Sequence, residues 1–252
     1  MSLDQPTKII RAIDRRVRAR AQAPTAGRLV RVLASISRTL QNRPVRHEDI
    51  FASRYGVRNL KDPIDGSYSG PGSTVKRTEA IREALPKLLR ELEAKTFIDA
   101  PCGDLKWMQE VELPVEKYIG VDVLQELVER NQSQYGNAQR SFMHVDMVQD
   151  VLPRGDVVLN RDMLIHLSFA DISKFLRLLH ASGCRYLLTS HFPDQPSNRD
   201  IETGDWRPVN LEIAPFNFPP PRLTISEHYT ANMDHADKCL ALWEVDNVPK
   251  RL

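Results

Sequence analysis

The chain has 252 residues, 35 of them Lys or Arg and 33 Asp or Glu, and 41% of it is apolar. That length buries one full core and leaves room for an N-terminal appendage, and the mixed composition is that of a soluble globular protein. No apolar run reaches the roughly 18 residues of a membrane-spanning helix, and the opening stretch lacks the apolar core of a secretory leader, so no membrane span and residence in the cytoplasm are expected. Three cysteines, Cys102, Cys184 and Cys239, are odd in number and widely spaced. They suit a reducing compartment, offer no zinc pattern and read as small buried apolar residues.

Charge is unevenly placed. Residues 1–46 hold eleven Lys or Arg and two Asp, giving +9, so against +2 overall the remainder carries −7. Helices are expected over 5–20 and 28–41, the second with Leu29, Val32, Leu33, Ile36 and Leu40 on one face, and Pro24, Gly27 and Pro44 mark the breaks. We read 1–48 as a basic helical extension and 49–252 as the main domain. The arm reads first as a solvated face docking on an acidic body. Nucleic acid is the less favoured partner, because few aromatic residues interleave the arginines, and the apolar face leaves a homodimer open.

Residues 51–75 are polar and turn-rich, ending in Tyr68-Ser-Gly-Pro-Gly-Ser73-Thr74. Ser73 or Thr74 is expected to cap a helix over 75–94 with Leu85, Leu88, Leu89 and Leu92 inward. The Gly-Pro-Gly loop reads equally as a lid over a ligand or an ordinary capped turn. From Thr96 the pattern alternates: strands at 96–100, 117–122, 141–146, 155–160 and 185–191, helices at 104–111, 124–135 and 169–182. Such βαβ alternation predicts an α/β fold with a parallel sheet and helices on both faces. Leu223–Tyr229 and Lys238–Val245 add two strands, making seven.

The stretch Phe97-Ile-Asp-Ala-Pro-Cys-Gly-Asp-Leu-Lys-Trp107 carries the first chemical signal. A buried strand ends in Asp99, a turn containing Gly103 follows, and a helix beginning there would aim its unpaired N–H groups at a ligand. The next strand, Tyr118-Ile-Gly-Val-Asp122, ends in a carboxylate 19 residues after Gly103, placed to accept from both hydroxyls of a ribose. With a single glycine the turn is too bulky for a pyrophosphate and adequate for a ligand whose tail is an amino acid.

The stretch resembles motif I of the class I S-adenosylmethionine-dependent methyltransferases, with Asp-Ala-Pro-Cys-Gly-Asp104 in place of the glycine-rich form. The resemblance implies a Rossmann-like fold over roughly 65–245, an antiparallel edge pair from the last two strands, and S-adenosylmethionine as cofactor. It implies Asp122 on the ribose, Asp146 (in Phe142-Met-His-Val-Asp146-Met147) on the adenine amino group, and Met147 over the ring. Ser73, Asp99, Pro101, Gly103, Trp107, Val123 and Arg161 join that cofactor-binding set. A structural capping role for Asp146 is the competing reading, and His144 reads as a partly buried structural residue.

Asn160-Arg-Asp162-Met-Leu-Ile-His166 resembles the segment after the fourth strand in small-molecule O-methyltransferases, where an acid and a histidine four residues apart open a helix. Asp162 and His166 would then share a face, with His166 the base and Asp162 orienting its ring; a structural acid–histidine pair is the alternative. His191, at the tip of the fifth strand, is a second base candidate or a third ligand, with Asp162 and His166, for a divalent metal such as Mg²⁺; the metal stays open. The long segment 193–222 leaves the fifth strand on the substrate side, offering Trp206 as a flat face and Arg199, Arg207 and Asn210 as hydrogen-bond donors. Packing alone is the competing role for Trp206 and Phe216. Ser69-Gly-Pro-Gly-Ser73, the 162–169 stretch and Gly204-Asp-Trp-Arg-Pro208 are similar to bacterial methyltransferases acting on sugar hydroxyls, including those building methylmannose polysaccharide. The expectation is methyl transfer to a hydroxyl of an oligosaccharide or small natural product. A nucleic-acid methyltransferase using the basic arm, and a binding protein that holds an adenosyl compound without turnover, are the alternatives.

Overall fold

The computed structural model describes residues 46–55, 67–228 and 235–252. The expected helices of the basic arm lie outside them. His47–Leu252 forms a compact unit whose centre is a seven-stranded sheet in the order β3-β2-β1-β4-β5-β7-β6. The strands are β1 (Thr96–Asp99), β2 (Lys117–Asp122), β3 (Arg140–His144), β4 (Val157–Asn160), β5 (Tyr186–His191), β6 (Leu223–Ser226) and β7 (Cys239–Glu244). The first five pair in parallel, and β7 runs antiparallel between β5 and β6.

Burial on both faces explains the near-continuous apolar strands. Alternation along β1 sends Phe97 to one side and Ile98 to the other, and each anchors a separate cluster. Helix α2 (Glu79–Glu91) supplies Ile81, Leu85, Leu88 and Leu89 to the Phe97 side, joined by Val128 of α3 (Gln125–Tyr135). Helix α4 (Phe169–Ser182) covers the Ile98 side with Ile172, Phe175, Leu176 and Leu179. Its start is set by Ser168, whose hydroxyl accepts from the Asp171 N–H at 3.2 Å, and its end by Gly183 at φ +69°. A short α1 (His47–Tyr55) lays Ala52 and Phe51 on Val123, Leu124 and Leu127. The three cysteines are free and buried.

Two expected helices are not formed as such. After the β1 turn only a single 3-10 turn, Met108–Glu110, appears. Leu105 adopts φ +56°, and the Asp104 carboxylate accepts from the Lys106 N–H at 3.2 Å, a local bond that competes with helical pairing. After β4, likewise, only Leu164–His166 forms a 3-10 turn, because Asp162 takes φ +57°. The expected cap at Ser73 or Thr74 is also absent: α2 begins at Glu79 behind Thr78, and no side chain caps it. Instead the Thr78 hydroxyl donates to the Thr74 carbonyl at 3.0 Å.

Segment 193–222 has no helix or strand, yet Val209, Leu211, Phe216 and Phe218 reach into the core on the α4 side. Phe175, fully buried at the centre of that core, reports on its packing. Phe175→Ala is expected to lower the unfolding free energy by about 3–5 kcal/mol, measured as a drop in urea midpoint at unchanged slope.

Candidate active site

Parallel pairing brings the carboxyl ends of β1, β2, β3 and β4 to one edge, and the order reverses between β1 and β4, where open α/β sheets form their ligand crevice. A cavity of about 330 Å³ lies there. Asp99, Asp122 and Asp146 all line it, with Ser73, Pro101, Gly103, Trp107, Val123, Met147, Arg161, Asp162, His166 and Trp206.

The turn after β1 is held from several sides. The Asn160 side chain donates to the Ala100 carbonyl at 2.6 Å and that of Asn131 to the Gly103 carbonyl at 2.7 Å. The Gly103 N–H donates to Asp122 at 2.9 Å. Gly103 sits at φ +55°, and a side chain there would overlap Ser69. Asp104 ties the preceding loop down: its carboxylate accepts the Tyr68 N–H at 2.6 Å and the Ser69 hydroxyl at 3.1 Å. Asp104 thereby anchors the start of the Ser69–Ser73 loop, which lines the cavity.

Asp99 and Asp122 are 3% and 4% exposed. Burial pushes the Asp99 carboxyl up to about 7, against the Tyr118 hydroxyl that donates to it at 2.7 Å and with the neighbouring Asp122 raising it further. Burial also raises Asp122, against hydrogen bonds from the Leu124 and Gly103 amides. Burial thus disfavours the charged form of both carboxyls, and the hydrogen bonds they accept, with the charge of Arg161 acting on Asp99, offset that only in part.

The opposite wall is differently balanced. Arg161 donates to Glu227 at 2.7 Å and to the Gly72 carbonyl at 3.0 Å, and stands 3.2 Å from Asp162. Lys238 reaches Asp162 at 2.8 Å and Glu227 at 3.2 Å, and the Ser190 hydroxyl donates to Asp162 at 3.0 Å. Burial opposes the Asp162 anion, but Arg161 and Lys238 outweigh it and hold the carboxyl well below the usual range.

No protein-family profile and no curated protein matches this chain. Among solved structures it is similar to the N-methyltransferase NodS from Bradyrhizobium japonicum WM9, in complex with S-adenosyl-L-homocysteine. The identity is 13% over 77% of this chain and 97% of that one, with a TM-score of 0.52. The fold is that of a class I methyltransferase. The 1,6-didemethyltoxoflavin-N1-methyltransferase of Burkholderia thailandensis is also similar, at 15% identity over 81% of this chain and 92% of that one, TM-score 0.49.

In this methyltransferase fold the expected residues separate into two groups. His166 lines the cavity, but its orienting partner is not Asp162. Its Nδ1 lies 2.8 Å from the Asp205 carbonyl, which can only accept. Nδ1 therefore carries a proton, so Nε2 is the nitrogen that accepts one whenever the ring is neutral. Asp162 is spent on Arg161, Lys238 and Ser190. Arg161 in turn is committed to Glu227 and the Gly72 carbonyl, so it buttresses the loop.

Four expected residues stand outside the cavity. His191 is fully buried, its Nδ1 accepting the Leu211 N–H at 3.2 Å and its Nε2 3.1 Å from Glu212. Burial lowers its pKa, so it is a neutral packing residue rather than a base, and it does not join Asp162 and His166 around a cation. Among the described residues no group of three or more His, Cys, Asp or Glu is placed to hold a metal ion. Arg207 is buried and donates to the Leu164 and Leu167 carbonyls at 2.6 and 2.7 Å. Asn210 pins the Pro193 and Gln195 carbonyls at 2.8 and 3.1 Å. Arg199 is exposed, and its carbonyl accepts from Arg207 at 3.3 Å. All three hold the insertion together. Trp206, 40% exposed, does face the cavity, its ring 5.0 Å from that of His235. His144 is exposed rather than partly buried, 3.0 Å from the Val123 carbonyl.

Sequence patterns gave no signal for His47, Phe51, Phe192, His235 and Lys238, all of which line the cavity. They arrive from segments far apart in the chain, and nothing local marks them.

The raised Asp99 has a consequence for stability. A carboxyl whose folded pKa exceeds its unfolded one binds more protons when folded, so stability falls as pH rises from about 4 to about 7. Asp99→Asn is expected to remove that slope, raising the urea midpoint at about pH 8 while changing it little at about pH 4. The loss at high pH in the wild type is of the order of a few kcal/mol.

Proposed function

We propose that this chain transfers a methyl group from S-adenosylmethionine to a hydroxyl of a sugar, an oligosaccharide or a small hydroxylated natural product. The observation that carries the reading is the pair of undercompensated carboxylates, Asp99 and Asp122, side by side at adjacent strand tips and open to one cavity. Ionising such buried carboxyls is costly unless a ligand meets them. A cationic ligand bearing a vicinal diol and an ammonium group meets both needs, so the residues present fit the cofactor.

The assignments follow from position. Asp122 accepts the Gly103 amide on one oxygen and the Leu124 amide on the other, and a carboxylate so held still has lone pairs to offer ribose hydroxyls. Met147 and Val123 flank the adenine side, with Asp146 at its edge. The Pro101–Gly103 turn and Asp99 face the methionine tail. When bound, S-adenosylmethionine supplies a methyl group already activated on a sulfonium, so the protein's chief task is in-line placement of the acceptor.

His166 Nε2 receives the proton that the acceptor hydroxyl must lose, and the Asp205 carbonyl stabilises the imidazolium formed through Nδ1–H. Trp206, Phe192 and His235 wall the acceptor end. A flat indole beside hydrogen-bonding imidazoles suits a hydroxylated ring.

Calorimetry with S-adenosylmethionine and S-adenosylhomocysteine tests the cofactor. Micromolar binding is expected, weakened at least about tenfold by Asp122→Ala, the loss of roughly one charge-assisted hydrogen bond. No heat with either compound ends the reading. Incubation with methyl-labelled donor and a panel of sugars and glycans identifies the acceptor. On that acceptor His166→Ala is expected to cost about 10²–10⁴ in kcat with unchanged homocysteine-product affinity. Activity within a few-fold of wild type removes His166 from the role.

A further inference from the structure

Asp146, at the adenine edge, is gripped by a residue from the start of the compact unit. His47, the first residue of α1, places Nδ1 2.8 Å from Asp146 Oδ2. Its Nε2 lies 3.3 Å from Oδ2 of Asp171, in the first turn of α4. A carboxylate can only accept, and a neutral imidazole has one N–H. Both contacts are satisfied together only by the imidazolium.

The surroundings favour that ion. Asp146 also accepts the Val148 N–H at 3.0 Å and the Gln149 side chain, and the Asp150 carboxylate accepts the Asp146 N–H at 3.0 Å. Asp171 also accepts Lys174 Nζ at 2.8 Å and the Thr203 hydroxyl. Arg46, Glu48 and Asp49 adjoin His47 in the chain. Facing the ring are therefore two carboxylates, with Asp150 behind one and a single lysine on the far oxygen of the other. The Asp146 hydrogen bond, against the cost of burial, raises the His47 pKa above its usual value. Burial opposes the Asp146 and Asp171 anions, but their partners hold both below the usual range, Asp171 at about 2.

The helix that His47 begins is a wall of the site. Phe51 lines the cavity together with Val123, Leu124 and Leu127, the residues on which Ala52 packs. We propose that the His47 imidazolium, bridging Asp146 and Asp171, is a positioning element that clasps α1 over the nucleoside end of the cavity and makes binding of the adenosyl ligand depend on pH. This rests on the reading of the cavity as an S-adenosylmethionine site. The sign follows from the bridge. Below the raised pKa of His47 both links are made and α1 is closed. As pH rises through it the ring loses a proton, one link is broken, α1 loosens and the ligand is held less tightly.

The experiment compares the full-length chain with His47→Gln. Affinity for S-adenosylhomocysteine is measured from about pH 5.5 to about pH 9, alongside amide exchange of residues 47–55 and an NMR titration of the His47 ring. The wild type is expected to weaken roughly tenfold across the His47 titration, the loss of about one charge-assisted hydrogen bond. The variant is expected to be flat, and as weak throughout as the wild type at high pH. Exchange in α1, corrected for its intrinsic pH dependence, should accelerate with pH in the wild type and be fast throughout in the variant. Equal affinity profiles for the two proteins, or a His47 ring titrating at its ordinary value, overturn the proposal. Should neither protein bind the compound at any pH, the cofactor reading has failed. The clasp is then judged on exchange and ring titration alone, and α1 protection that ignores pH overturns it too.

Discussion

Two carboxylates held side by side out of water set the terms for the rest of this molecule. Asp99 and Asp122 reach that position because parallel pairing of β1 with β2 forces both strands to end on the same edge. Each strand is buried on both faces, so its last side chain has nowhere to go but the crevice. The protein answers the resulting electrostatic cost only in part, with the Tyr118 hydroxyl and the charge of Arg161 on one acid and backbone amides on the other. A folded chain normally neutralises such groups or replaces them. Leaving them undercompensated makes sense when a positively charged, hydroxyl-rich guest completes the arrangement.

Across the cavity the logic is opposite. Arg161, Lys238, Asp162 and Glu227 form a closed set of two cations and two anions with Ser190 filling a remaining position. Buried networks of this kind add little net stability over apolar packing, but they fix geometry, since breaking one partner strands the others. Here the network joins β4, the segment after β6, the residue before β7 and, through the Gly72 carbonyl, the loop ahead of α2. That side of the cavity is thereby built from four separate stretches of chain. One wall of the cavity invites charge and the other is sealed against it.

Much of this was readable from local pattern. The apolar runs ending in Asp99 and Asp122, the alternation with helical segments and the two late strands place the sheet and its edge, since these depend on periodicity and burial alone. Asp162 misled because its backbone is left-handed, at φ +57°, and its carboxylate is held by neighbouring Arg161 and by Ser190 and Lys238 from far along the chain, so the helix that its spacing with His166 implies does not form. His191 misled for a related reason: the strand tip is in the expected place, but Leu211 and Glu212 of the insertion wrap the ring and remove it from the crevice. Arg207 and Asn210 look from composition like ligand donors, and the insertion uses them to satisfy its own carbonyls. His47 carries no local mark at all, because its two partners lie 99 and 124 residues away.

The insertion between β5 and β6 is not an appendage. Phe216 and Phe218 enter the same core as Phe175 and Trp243, and His191 is locked to its backbone. The part of the cavity wall that carries Trp206 therefore shares its foundations with the sheet. Loops perched on a scaffold can be exchanged freely as a lineage explores new substrates. This one cannot be exchanged without disturbing the core that Phe216 and Phe218 enter, so the changes the domain absorbs most easily are those confined to exposed rim side chains such as Trp206.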